Sequence, residues 1–184
     1  MQVHEILASL RRDHINCGRL IGLVRQQLDL PDGAPPDWHL LARIMRYMVE
    51  YGDLFHHRTE EFLYQRLRDR AGAARVHLDE IAQEHADLGR QAALCSSLVA
   101  AAPEDLDEKA AATALRSYVD QLEAHMYKEE THLFRLVTLL LTPTDWRAVE
   151  EQLERRRDPL FDGPVQESYL IVVRHLAAHA GLDG

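Results

Sequence analysis

Residues 55–64 read FHHRTEEFLY, with His56 and Glu60 four positions apart. On an α-helix that interval puts an imidazole and a carboxylate on one face, about 6 Å apart along the axis. The pattern returns at residues 124–134, AHMYKEETHLF, where His125 and Glu129 keep the interval. A His-x-x-x-Glu-Glu motif that occurs twice, each time inside a long helical pattern, points to one site assembled from two helices.

Outward from these motifs the periodicity predicts four long helices. Ile6, Leu10, Ile21 and Val24 fall at helical spacing in a first helix from Val3 to about Leu28, with His14 on a compatible face. The stretch LPDGAPPD, residues 30–37, ends it, and Asp37 is an N-cap for a second helix over about 38–70. Gly72 marks a tight turn, and a third helix over about 74–101 carries His85. Pro103 opens a fourth, which extends to Leu141. No alternating β-branched run is long enough for a strand, so the class is all-α, an up-down-up-down four-helix bundle.

Beyond the bundle, Thr142-Pro143-Thr144 breaks the chain and caps a short charged helix to Arg157. The loop RDPLFDGP leads to a last helix over about 165–180. Residues 142–184 are too few to bury a core of their own, so the expected division is a bundle over 1–141 with a helical appendage packed on it. The appendage carries Trp146, Leu160, Phe161, Tyr169 and Ile171, which either cover one end of the bundle or meet a second copy in a homodimer.

The net charge of −9 argues against a nucleic-acid partner or an anionic membrane surface. The longest apolar run, Leu136 to Leu141, is interrupted by Thr138 and far too short to span a bilayer. The first residues, MQVHEILASLRRDH, have no signal-peptide core, and Cys17 and Cys95 form no CxxC or disulfide framework. A soluble, cytoplasmic protein is expected. Its unusual feature is eleven histidines.

Each long helix offers candidate metal ligands: His14; His56 with Glu60; His85; His125 with Glu129. Glu60 stands about ten residues before the end of its helix and His85 about eleven into the next, roughly 15 Å each. His14, His56, His85 and His125 match in level at the other end as well. Four imidazoles and two carboxylates suit two first-row metals and leave positions open for O2, NO or peroxide. A ferritin-like scheme needs two Glu-x-x-His motifs, and only Glu129 to His132 supplies one.

Blander readings compete at each residue. One His/Glu pair four apart is a common solvated pair worth a few tenths of a kcal/mol. Two copies, level with His14 and His85, favour the assembled site. His57 with Glu61 forms a competing register rotated by about 100°. Met126 in the matching place of the second copy disfavours it. His132 reads as a core or supporting histidine, and His4, His39, His77, His175 and His179 as surface or capping residues. Tyr51, Tyr118 and Tyr127 either donate to a ligand or fill the core, and Cys17 reads as a buried structural thiol.

These residues together resemble the hemerythrin-like HHE cation-binding domain family over roughly residues 3–141. RRDH ending at His14, HHRTEE over 56–61, Glu84-His85 and HMYKEE over 125–130 carry the resemblance. It implies a four-helix bundle around a non-haem, carboxylate-bridged centre of two iron ions. Carried over residue by residue, His14, His56, His85 and His125 are its terminal ligands and Glu60 and Glu129 its bridges. Oxygen-carrying hemerythrins have two histidines four apart on their third helix; here Ile81 stands four before His85. The chain is therefore more similar to the four-His, two-Glu variant of the iron–sulfur-repair and nitrosative-stress members. Those members often carry an N-terminal cysteine-containing segment that this sequence lacks, which speaks against a repair role.

The expected function is a di-iron protein that binds or senses O2, NO or a reactive oxygen species. An alternative is a di-iron redox enzyme, or an iron donor in stress repair. Turnover would need electrons from a partner reductase, since no flavin or CxxC motif is present. A third reading is an interaction protein that uses metal for stability alone.

Overall fold

The computed structural model describes residues 3–31, 34–70, 72, 75–101, 105–153 and 157–180. Helix α1 is Val3–Leu28. Helix α2 covers residues 38–68: α-helical over Trp38–Tyr47, π-helical over Met48–His56, α-helical again over His57–Arg68. Helix α3 is Arg75–Val99. Helix α4 covers residues 108–140, with a π-helical stretch at Glu129–Leu133 between Glu108–Lys128 and Phe134–Leu140. Among the described residues two short helices follow, α5 at Pro143–Glu150 and α6 at Leu170–Ala180. The described residues contain no strand.

The helix starts are set by side-chain oxygens that satisfy the free N–H groups of a first turn. Asp37 accepts from the Leu40 N–H at 2.9 Å, as its position predicts. Asp107 does the same for Ala110, so α4 begins at Glu108; Pro103, the expected start, lies outside the described residues. Thr142 and Asp145 cap each other at the head of α5, with Pro143 as its first residue. That helix stops at Glu150, short of the expected Arg157, and α6 starts at Leu170 after a single 3-10 turn. Gly72 has φ +51°, the left-handed conformation its place in a tight turn calls for.

Helices α1 to α4 pack as a bundle, each against its chain neighbours and α4 back against α1. The core is split. One apolar block holds Leu20, Leu23, Ile44, Leu88, Ala92, Leu115 and Val119. The other holds Ile6, Leu10, Leu63, Leu67, Leu78, Phe134 and Val137. Truncating a fully buried residue such as Leu63 to alanine should remove about 2–5 kcal/mol. Helix α5 packs on residues 57–68 and adds Trp146 and Val149 to the second block. Helix α6 packs on α1 and the first part of α2, with Tyr169 and Val172 in the first block. Between α5 and α6, the Tyr47 hydroxyl donates to buried Asp158 at 2.8 Å, and the same carboxylate accepts the Leu160 and Phe161 N–H groups. No helix among the described residues is long and apolar enough to cross a membrane.

Candidate metal centre

Between the two apolar blocks lies a buried polar layer. His14 from α1, His56, His57 and Glu60 from α2, His85 from α3, and His125 and Glu129 from α4 meet there. All six residues expected from the sequence are brought together. Glu60 and Glu129 are 0% exposed, which no carboxylate sustains without partners.

Two groups of potential ligand atoms share this layer. One is His14, His56, Glu60 and Glu129; the other is His57, Glu60, His85 and His125. Within each, the atoms lie within 4.8 Å of one another. Glu60 joins them: its Oε1 is 3.6 Å from His14 Nε2 and 3.3 Å from His56 Nε2, and its Oε2 is 3.5 Å from His85 Nε2. Glu129 also reaches both, with Oε2 3.4 Å from His14 Nε2 and from His125 Nε2 and Oε1 3.3 Å from His85 Nε2.

Three of the imidazoles are oriented from behind by carboxylates. His14 Nδ1 donates to Glu130 at 2.9 Å, His125 Nδ1 to Glu84 at 2.9 Å, and His56 Nδ1 to Asp13 at 3.2 Å. An imidazole that donates through Nδ1 keeps Nε2 as the free basic nitrogen, the usual outer-shell arrangement of a metal-bound histidine. Glu84 also accepts from Lys128. Burial pushes its carboxyl up, but His125 and Lys128 outweigh that and hold it below the ordinary range. The Tyr64 hydroxyl donates to Glu129 Oε1 at 2.9 Å, fixing one oxygen of that carboxylate.

The electrostatics of the layer are those of a cation site. Burial opposes the charge of His14, yet Glu129 and Glu60 beside it raise its pKa to about 9. Burial likewise opposes the carboxylates, but the imidazoles facing them hold Glu60 well below the ordinary range and Glu129 below it. Even so, both oxygens of Glu60, Oε2 of Glu129 and Nε2 of His125 are buried with no hydrogen-bond partner. His14 Nε2 and His56 Nε2 are 3.0 Å apart, within hydrogen-bond distance, and two nitrogens each about 2.1 Å from one ion at right angles would have the same separation. Unsatisfied buried donor atoms of imidazole and carboxylate, aimed at common points, fit first-row cations.

A cavity of about 40 Å³ adjoins the layer, bounded by His14, His56, His57 and His125 on one side and by Tyr47 and Tyr51 on another. It has room for a diatomic molecule or a few waters, far below the size of an ordinary organic substrate site. Cys17 also lines it, its thiol pushed up to about 12 by burial, and it belongs to neither group of potential ligand atoms.

Several expectations need correction. The register of His57 with Glu61, disfavoured by Met126, does not form, since Glu61 is exposed; what the sequence did not suggest is that His57 joins the same Glu60 as His56. Both histidines reach the layer because consecutive helical residues point in different directions and the site has two halves to receive them. His132 is neither core nor supporting: it is exposed, its Nδ1 beside the Thr131 hydroxyl. The π-helical turn at Glu129–Leu133 rotates it away from the ligand face. Tyr127 is 69% exposed, and Tyr64 is the tyrosine that donates to a site carboxylate. Its signal was present, four residues after Glu60 on the same face.

The family model described as Hemerythrin HHE cation binding domain matches residues 5–137. Comparisons with curated proteins and with solved structures give no match.

Proposed function

The chain belongs to the hemerythrin HHE cation-binding family, and from that premise we propose that it holds two iron ions and binds a small ligand there. The ions would be held by His14, His56, His85 and His125, with Glu60 and Glu129 between them. A single observation carries the reading. Glu60 is fully buried, belongs to both ligand groups, and has neither oxygen satisfied by a hydrogen bond. One ion would leave part of this set uncompensated; two share both carboxylates.

An iron pair supplies redox-active centres with open coordination positions for an electron-rich ligand such as O2, NO or peroxide. The protein's own part is to orient and exclude. Glu130, Glu84 and Asp13 fix the imidazoles, Tyr64 fixes Glu129, and the apolar blocks keep bulk water away. The 40 Å³ cavity admits ligands of a few atoms and favours binding or sensing of a diatomic or peroxide. A cytoplasmic setting with a partner reductase is consistent with this role.

Metal analysis of the purified protein, with an optical spectrum before and after air or NO, tests the proposal. About two irons per chain and a ligand-dependent near-ultraviolet band are expected. No iron after anaerobic reconstitution, or one zinc ion with no spectral response, would overturn it. Sustained peroxide or NO consumption with an added reductant would move the reading from binding to redox catalysis.

A further inference from the structure

We infer that His57 is a metal ligand in its own right, a third imidazole for the ion that His85 and His125 hold, which makes the two halves of the centre unequal. The inference rests on the two-ion reading above and concerns how this chain fills one of its halves.

Position is the first argument. His57 is 8% exposed, and it offers a ring nitrogen within 4.8 Å of ligand atoms from Glu60, His85 and His125. Ring geometry is the second. Two imidazoles that hold one ion side by side, each nitrogen about 2.1 Å from it, place their ring centroids roughly 4.5–5 Å apart. The His14–His56 pair is at 4.8 Å and the His85–His125 pair at 4.7 Å. His57 and His85 are 4.4 Å apart, and His57 and His125 5.9 Å. The separation of His57 from His85 is thus close to that of the other pairs, while its ring lies at 17° to His85 where those pairs are inclined at 58° and 70°.

The backbone gives the third argument. His57 closes the π-helical stretch of α2, its N–H reaching back five residues to the Gly52 carbonyl. A π turn inside an α-helix shifts the register of the residues after it, and such turns gather at functional sites. Here the shift ends on the His56-His57 pair and leaves both side chains buried, one in each ligand group. Meanwhile α3 supplies only His85. One turn earlier stands Ile81, which is 4% exposed and packs in the second apolar block. The second imidazole absent from α3 is thus supplied by α2.

The consequence is an asymmetric centre. The half with His57, His85 and His125 has three imidazoles and the half with His14 and His56 has two, while the carboxylates are shared. With more protein donors, the three-imidazole half fills first and holds its ion more tightly. The two-imidazole half keeps more positions open. The competing role for His57 is a core histidine that packs among its neighbours without holding an ion.

The test is an anaerobic titration of Co2+ into the full chain stripped of metal, by calorimetry with the visible Co2+ bands recorded in parallel. Wild type is compared with His57→Leu and His57→Gln, which keep similar volume with and without a polar group. Wild type should take up two ions in unequal steps. In the variants one ion should stay within about threefold, while the other weakens by about 100-fold or more, the upper end of what loss of a supporting partner alone does. The bands of the weakened ion should change, which loss of a packing contact would not cause. Helical circular dichroism verifies the fold, and a variant that has lost it is replaced by the other. Two wild-type steps of equal affinity, or folded variants with unchanged affinities and bands, would overturn the role of His57. Uptake of fewer than two ions by wild type would instead overturn the two-ion reading.

Discussion

The copy of the motif in α2 and the copy in α4 place their paired histidine and glutamate alike and differ in everything beside them. After His56 comes His57, buried in the layer; after His125 comes Met126, a partly buried neighbour of the adjoining cavity. After Glu60 comes Glu61, exposed; after Glu129 comes Glu130, which accepts from His14 Nδ1. The π-helical turns explain the contrast. In α2 the turn precedes the glutamate and ends at His56, whereas in α4 it begins at Glu129. Residues four apart within regular helix share a face whatever surrounds them. Their neighbours depend on where the extra residue of the π turn is inserted.

The comparison can be broken most severely at the residue both halves use. Glu60→Ala should reduce bound metal from two ions per chain toward none, read by elemental analysis, because each group loses a donor. Full stoichiometry in that variant would contradict the shared-carboxylate account. The neighbours come next. Glu130→Ala should weaken metal binding by about 10–100-fold, as loss of an outer-shell carboxylate does, while Glu61→Ala should change it less than about threefold. Equal effects, measured by competition with a chelator, would erase the distinction between the copies.

Tyr64→Phe removes the only hydrogen bond from a hydroxyl to the site carboxylates among the described residues. Metal-free protein should lose about 1–3 kcal/mol in urea unfolding, the range for a buried acceptor deprived of its donor. A smaller effect is expected on pH dependence, through His14. Its folded pKa of about 9 lies above the ordinary value near 6.5, so its contribution to metal-free stability is full below about pH 6.5 and fades as pH rises through 9. The carboxyls of Glu60 and Glu129 are shifted the other way, so theirs is present above the ordinary carboxylate range and lost as pH falls below it. Metal addition at pH 7 should therefore release protons, seen with an indicator dye, and the release should diminish above pH 9.

The sequence made the ligand set legible because the information is one-dimensional: an interval of four, repeated, at matching distances from helix ends. His14 and His85 could be placed by level alone, since α-helices rise uniformly. The caps at Asp37 and Thr142 were legible for the same local reason. His57 and His132 were not. His57 caps one π turn and His132 lies within the other, and a π turn is set by packing between helices, which one chain's periodicity does not display. The acids behind the histidines stand next to ligands in the sequence, at Asp13, Glu84 and Glu130. Yet Glu84 serves His125 and Glu130 serves His14 across the bundle, pairings that only the packed helices reveal.

The account's central claim is that the two halves hold two ions bridged by the same carboxylates. X-ray absorption on the iron-loaded protein tests this most directly. A metal–metal scattering feature at or below about 4 Å, with nitrogen and oxygen nearest neighbours, is the predicted result. A spectrum of isolated iron at full loading, with no second metal within that distance, would contradict it.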